Sequence, residues 1–222
     1  MPRITTVIFD LDGVIVDTAK YHYLAWKKIA DEFGFDFTLK DNERLKGVSR
    51  MASLDILLSI GGIELSGEEK LKVADKKNRI YLEYILKMTP DEVLPGVKEF
   101  LTALHKAGIK VSLGSASKNA KTILKQVGIE GLFDAIADGT NVSKAKPDPE
   151  VFLKGAELLG LSPADCLVFE DAVAGIEAAH NGGMKCVGVG DPQVLSQADY
   201  HISGFEDLKL EDGKLKIKNR TI

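Results

Sequence analysis

The sequence predicts an α/β protein: a parallel sheet with helices on both faces and an all-helical insertion after the first strand. Three observations carry this. Short apolar runs near residues 4–10, 109–114, 134–137, 167–170 and 186–189 of the 222-residue chain alternate with segments of helical period, the pattern of repeated βα units. The runs are continuously apolar, as in strands covered on both faces. Between Val16 and Pro90, however, the pattern is almost wholly helical.

The first run ends at Phe9 and meets Asp10, Asp12 and Gly13, so two carboxylates fall where open α/β sheets meet their ligands. Tyr21, Ala25, Ile29 and Phe33 then recur every four residues before Gly34, and amphipathic helices are expected near 50–60, 67–77 and 78–88. Thr89-Pro90 to Pro95-Gly96 reads as the return linker, with Asp17-Thr18 on the outgoing side. The expected domains are therefore a core of residues 1–15 and 92–222 and a cap of residues 16–91. In the core, Val97, Phe100, Leu101 and Leu104 mark a helix over 97–107 closed by Gly108, and another is expected over 119–127 before Gly128. The C-terminal residues carry no motif.

Composition narrows the function. With 45% hydrophobic residues the chain has ample material for a sizeable core. Lys plus Arg number 29 against 33 Asp plus Glu, a net charge of −4, so no broad electropositive surface and no nucleic-acid partner is expected. No segment approaches the roughly 20 apolar residues of a membrane span, and the N-terminus lacks a signal-peptide layout; no membrane association and a cytoplasmic location are the expectations. Cys166 and Cys186 lie beside apolar strands, where reduced core thiols are expected.

Four segments carry chemistry. In FDLDGVIVDT the two acids repel each other and call for a hard cation such as Mg²⁺, which leaves a carboxylate oxygen free to attack phosphorus. In VSLGSASKN a strand ends at Gly114 and Ser115 offers a hydroxyl and an N–H to a phosphoryl oxygen, with the positive end of the following helix expected to face the same anion. In SKAKPDPEVF, Lys146 precedes Pro147, and Asp148-Pro149 reads as an N-cap with proline in the first helical turn. In LVFEDA a strand ends at the acid pair Glu170 and Asp171, costly neighbours without a cation. Each has a plainer reading, as turn, cap or solvated charge; their order in one chain favours the chemical one.

Together these segments resemble the four motifs of the haloacid dehalogenase superfamily. The resemblance implies a Rossmann-like parallel sheet core with an inserted α-helical cap domain. It implies Mg²⁺ held by Asp10, the backbone carbonyl of Asp12 and Asp171, with Glu170 bound to it or directly beside it. Asp10 would be the nucleophile and Asp12 the general acid and base, with Ser115 and Lys146 on the transferring phosphate. Lys144 is the neighbouring lysine expected not to matter, and Ala172 stands where many relatives carry Ser.

The cap narrows the resemblance. Tyr21-His22 with Ala25-Trp26, LKGVSR at Leu45–Arg50 with Ser53, and Lys76-Lys77-Asn78, taken with SASKN in the core, resemble the β-phosphoglucomutases. Such an enzyme interconverts β-glucose 1-phosphate and glucose 6-phosphate through an aspartyl phosphate, with β-glucose 1,6-bisphosphate as intermediate and priming donor. An intermediate that binds either way round needs two anion sites. By resemblance Arg50, Ser117, Lys118 and Asn119 hold the distal phosphate, with Ala116 alongside. Thr18, Trp26, Lys46, Gly47, Val48, Ser49 and Ser53 fall among the substrate-binding positions, and His22 and Lys77 are tied to cap closure and sugar contact. His22 reads equally as a packing residue, and Lys76 is the alternative to Lys77. The partner implied is a small phosphorylated sugar and the state a monomer. A sugar-phosphate or phosphoglycolate-type phosphatase keeps every core motif, and a non-catalytic phosphosugar-binding regulator is a third reading. Dehalogenation is disfavoured because it needs neither Asp12 nor the second acid pair.

Overall fold

A computed structural model describes residues 5–45, 48–211, 214–217 and 220–221. The chain forms two compact units, one running up to Asp17 and again from Thr89, the other Thr18–Met88.

The first unit is built on a six-stranded sheet: β1 Thr6–Phe9, β2 Lys110–Gly114, β3 Ala135–Ala137, β4 Cys166–Glu170, β5 Lys185–Val189 and β6 Tyr200–Ile202. The strands lie in the order β3-β2-β1-β4-β5-β6 and every pairing is parallel. The chain thus leaves β1 toward one edge and returns beside it toward the other. This reversal places the carboxyl ends of β1, β2 and β4 side by side, the usual ligand position of open α/β sheets.

Every residue of β1 is buried, which explains the apolar run Val7-Ile8-Phe9 that follows Thr6. On one face Phe9 stacks on Phe169 at 5.2 Å between ring centroids, with Phe205 tilted against it at 6.0 Å and Phe100 edge-on at 6.1 Å. Phe100 comes from α5, Val97–Lys106. On the other face Ile8, Val168 and Cys186 pack against Phe152 and Ile176, supplied by α7, Glu150–Leu159, and α8, Val173–Asn181. Both cysteines are buried free thiols.

The second unit holds α1 Ala19–Glu32, α2 Leu39–Glu43, α3 Arg50–Gly61 and α4 Gly67–Ile85. The two helices expected near 67–77 and 78–88 are one helix of 19 residues. Nothing between Lys77 and Asn78 breaks it, and Ala74, Lys77, Ile80 and Tyr81 keep one face buried across the expected join. A reciprocal cap between Ser66 and Glu69 fixes its start. The linkers to this unit are tied within the first: Val16 bridges Val93 and Leu94 N–H donates to the Ile15 carbonyl at 2.9 Å.

The helix expected over 119–127 is α6, Ala120–Gln126, and residues 116–119 separate it from Ser115. Two further details differ from the sequence reading. Pro149 is itself the cap of α7, and Asp148 Oδ1 accepts the Glu150 N–H at 3.0 Å. The C-terminal region, without a motif, supplies β6 and a separate antiparallel sheet of β7 Leu208–Glu211, β8 Lys214–Ile217 and β9 Arg220–Thr221. Phe205 enters the main core from this region. Replacing it with Ala should therefore lower the unfolding free energy by about 3–5 kcal/mol, read from urea denaturation monitored by circular dichroism.

Candidate active site

Asp10 follows β1 directly and is 7% exposed. Its Oδ2 accepts the backbone N–H of Asp12 at 3.1 Å, and its Oδ1 receives Lys146 Nζ at 2.5 Å. The same ammonium reaches Glu170 Oε2 at 2.8 Å and lies 4.6 Å from the centre of the Phe152 ring. Glu170 Oε1 accepts the Ala172 N–H at 3.1 Å. Lys146 is 8% exposed and Glu170 1%. Lys144 is on the surface, paired with Asp148 at 3.2 Å.

Asp10, Glu170 and Asp171 each offer an oxygen within 4.8 Å of the others. One lysine faces these three acids and Asp12 beside them, so negative charge is in excess. Burial, followed by repulsion from Glu170, Asp10 and Asp12, pushes the Asp171 carboxyl up to about 8. Burial also pushes Glu170 up to about 7, outweighing the attraction of Lys146. Lys146 itself is raised: burial disfavours its charge, but Asp10 and Glu170 more than compensate. An all-oxygen acid cluster with excess negative charge fits a hard divalent cation such as Mg²⁺.

Two glycines are required here. Gly13 has φ of +77°, and a Cβ on it would lie 2.1 Å from Asp171 Oδ2. Gly175 lets α8 lie against Glu170, since a Cβ there would meet its carboxyl carbon at 2.0 Å.

Ser115 is buried at the end of β2. Its N–H donates to the Ala137 carbonyl at 3.0 Å, and its Oγ accepts the Ser117 N–H at 3.2 Å. Ser117 Oγ in turn accepts the Asn119 N–H at 3.2 Å. Ala116 and Lys118 are exposed on this turn. Sequence reasoning missed Asp138, which follows β3 as Asp10 follows β1. It is fully buried, and its Oδ1 accepts the Thr140 N–H at 2.9 Å while Oδ2 has no hydrogen-bond partner. The run IADGT was its signal, a strand ending in an acid and glycine like FDLDG. Gly139 N–H donates to the Ser117 carbonyl at 3.3 Å, so this turn backs the serine turn.

The cap unit has its own cluster. Lys77 is 2% exposed, with Nζ 4.8 Å from the Trp26 ring centre and 4.6 Å from that of Tyr81. It lies 2.8 Å from His22 Nδ1. An ammonium only donates, so Nδ1 accepts and the proton of a neutral His22 is on Nε2. Lys76 points elsewhere, to Glu32 at 2.6 Å. Ser49 caps α3 by accepting the Ala52 N–H at 3.3 Å, and Arg50 opens that helix, half-buried. Thr18 and Ser53 are buried and Val48 exposed; Lys46 and Gly47 lie outside the described residues.

Burial, with Lys77 and then Arg50, holds the His22 pKa well below its usual 6.5. The unfolded chain therefore binds the extra proton first, and stability falls as pH drops below about 6.5, by up to about 1.4 kcal/mol per pH unit. Thermal unfolding at pH 7 and pH 5 should show a larger loss for the wild type than for His22→Gln, which keeps an acceptor without a titrating ring.

The geometry agrees with known proteins. The sequence model of the haloacid dehalogenase-like hydrolases matches residues 4–183. The chain is 48% identical over 207 residues to a β-phosphoglucomutase of Bacillus subtilis, covering 92% of each. It is 34% identical to a phosphorylated carbohydrates phosphatase of Thermotoga maritima, over 81% of this chain and 82% of that one. A solved β-phosphoglucomutase structure from Clostridium difficile superposes with a TM-score of 0.89 at 44% identity, covering 93% of each chain. Among the described residues no helix is long and apolar enough to cross a membrane. With the family's motif acids gathered at the carboxyl ends of β1 and β4 and its lysine between them, the chain belongs to the haloacid dehalogenase-like hydrolase family.

Proposed function

We propose that this enzyme is a β-phosphoglucomutase, acting in the cytoplasm as a monomer on small phosphorylated sugars. It interconverts β-glucose 1-phosphate and glucose 6-phosphate through phosphorylated Asp10 and β-glucose 1,6-bisphosphate. The buried Asp10–Lys146–Glu170 bridge beside Asp171 carries the phosphotransfer reading. The 48% identity to a mutase over 92% of the chain, cap included, favours mutase over phosphatase.

In this reading Asp10 attacks phosphorus in line with the departing sugar oxygen. Asp10, the Asp12 carbonyl and Asp171, with Glu170 beside them, would hold Mg²⁺, which would supply charge neutralisation at the phosphoryl oxygens. Lys146 offsets the same charge from the opposite partner, and because Glu170 shares its ammonium, it stays protonated and directed while Asp10 is esterified. Ser115 presents its hydroxyl to a third oxygen. Asp12 gives a proton to the departing sugar oxygen, which leaves as a hydroxyl, and takes one from the incoming hydroxyl. Arg50, with Ser117, Lys118 and Asn119, takes the distal phosphate, Arg through a bidentate fork. His22 offers Nε2–H to a sugar oxygen, with Lys77 holding the ring from behind.

With Mg²⁺, β-glucose 1-phosphate and a trace of the bisphosphate, glucose 6-phosphate should accumulate well ahead of free phosphate; dominant phosphate release would instead support the phosphatase. Asp10→Asn should abolish both turnover and acid-stable, base-labile phosphoenzyme, and normal acyl phosphate in that variant would refute the assignment of the nucleophile. Gly13→Ala, which drives a methyl into Asp171, should raise the Mg²⁺ concentration for half-maximal activity by roughly tenfold or more, as one displaced carboxylate partner typically costs 10–100-fold in metal affinity.

A further inference from the structure

The Lys146 ammonium serves two acids from a loop, and its stem has four rotatable bonds. What fixes its backbone is absent from the assignments above. Lys146 is the second residue of a turn closed by the Asp148 N–H and the Ala145 carbonyl at 3.0 Å. Glu150, on the first turn of α7, reaches back across this turn. Its Oε2 accepts the backbone N–H of Ser143 at 2.9 Å and of Lys144 at 2.5 Å, and both its oxygens accept the Ser143 hydroxyl at 3.1 Å. On the other side Asn181 Nδ2, at the end of α8, donates to the Pro147 carbonyl at 3.1 Å. Phe152, two residues beyond Glu150 on α7, supplies the ring under the ammonium. One helix therefore both anchors the loop and lines the place where the ammonium rests.

Resting on the reading of Lys146 above, we infer that Glu150 is a positioning residue for the phosphoryl-transfer step, with Asn181 as its counterpart across the turn. The carboxylate holds the two N–H groups preceding Lys146, so that its ammonium meets Asp10 and Glu170 without a search among loop conformers. Charge-assisted bonds to backbone N–H groups are stronger than neutral ones. Misplacing a reacting or stabilising group by about 1 Å can cost on the order of a hundredfold in rate. Nothing in this role touches the sugar, so binding should be spared.

The test measures kcat, KM for β-glucose 1-phosphate at saturating Mg²⁺, and melting temperature for wild type, Glu150→Ala, Glu150→Gln and Lys146→Met. Glu150→Ala should lower kcat about tenfold or more with KM within about twofold. Glu150→Gln, whose amide oxygen still accepts both N–H groups, should recover most of that loss, and both variants should melt close to the wild type. Wild-type kcat in Glu150→Ala, alongside a slow Lys146→Met, would overturn this inference alone. Wild-type turnover in Lys146→Met would remove the assignment of the lysine and this inference with it. A kcat loss in Glu150→Ala that tracks a large fall in melting temperature and is not recovered by Gln would make Glu150 a helix-start residue only, and would equally overturn it.

Discussion

Most of this structure follows from the need to keep acids charged in a buried place. Asp10 and Glu170 are nearly sealed from water, and an unpaired buried carboxylate costs several kcal/mol. Lys146 meets both, and its sequence separations of 136 and 24 residues mean that only the completed sheet can bring the three together. The parallel pairing of β1 with β4 sets the acids side by side. α7, packed across the sheet, brings the lysine loop to them. Because one ammonium does not balance Asp10, Asp12, Glu170 and Asp171, the finished fold retains a demand for positive charge, which a divalent cation can meet.

The tight packing around these acids is part of the same requirement. Gly13 and Gly175 give up side chains where a Cβ would collide with Asp171 or Glu170. Below them Phe9, Phe169, Phe100 and Phe205 form a closely packed aromatic floor, which keeps the dielectric low and makes each charge contact stronger than it would be in water. The cap unit solves the opposite problem. Its buried cation is that of Lys77, held over two aromatic faces and against an imidazole nitrogen.

The parts of this design that were legible in sequence are those with local signals. Asp10, Asp12, Glu170 and Asp171 each follow an apolar run, and the run itself shows that a strand has ended. Lys146 stood out through its place before Pro147. The partnership of Glu170 with Lys146 had no such signal, because it depends on which strands are neighbours, and sequence reasoning set Glu170 only at or beside the metal. Asp138 had the same strand-acid-glycine syntax as Asp10 and was passed over because no motif included it. β6 escaped notice because three residues with His201 at the centre do not make an apolar run. The continuity of α4 across Lys77-Asn78 has no local signal, because it rests on Lys77 being buried on the helix's inner face.

The same contrast explains where specificity must arise. In the reading proposed above, the acid cluster, the lysine and Ser115 carry phosphoryl transfer to or from a suitably placed oxygen, and a phosphatase 34% identical to this chain spans 81% of it. A core of this kind distinguishes poorly between water and a sugar hydroxyl, since both are oxygen nucleophiles of similar size. Discrimination needs groups that bond to the sugar itself, and a polar site rejects a partner lacking the matching hydroxyl far more strongly than an apolar pocket rejects a small change in shape. In that same reading His22 of the cap unit, whose Nδ1 faces Lys77 Nζ and whose neutral-form proton is therefore on Nε2, is a group of that type. An unmatched polar partner beside it is expensive, so in this reading discrimination lies with the cap residues while the chemistry lies with Asp10.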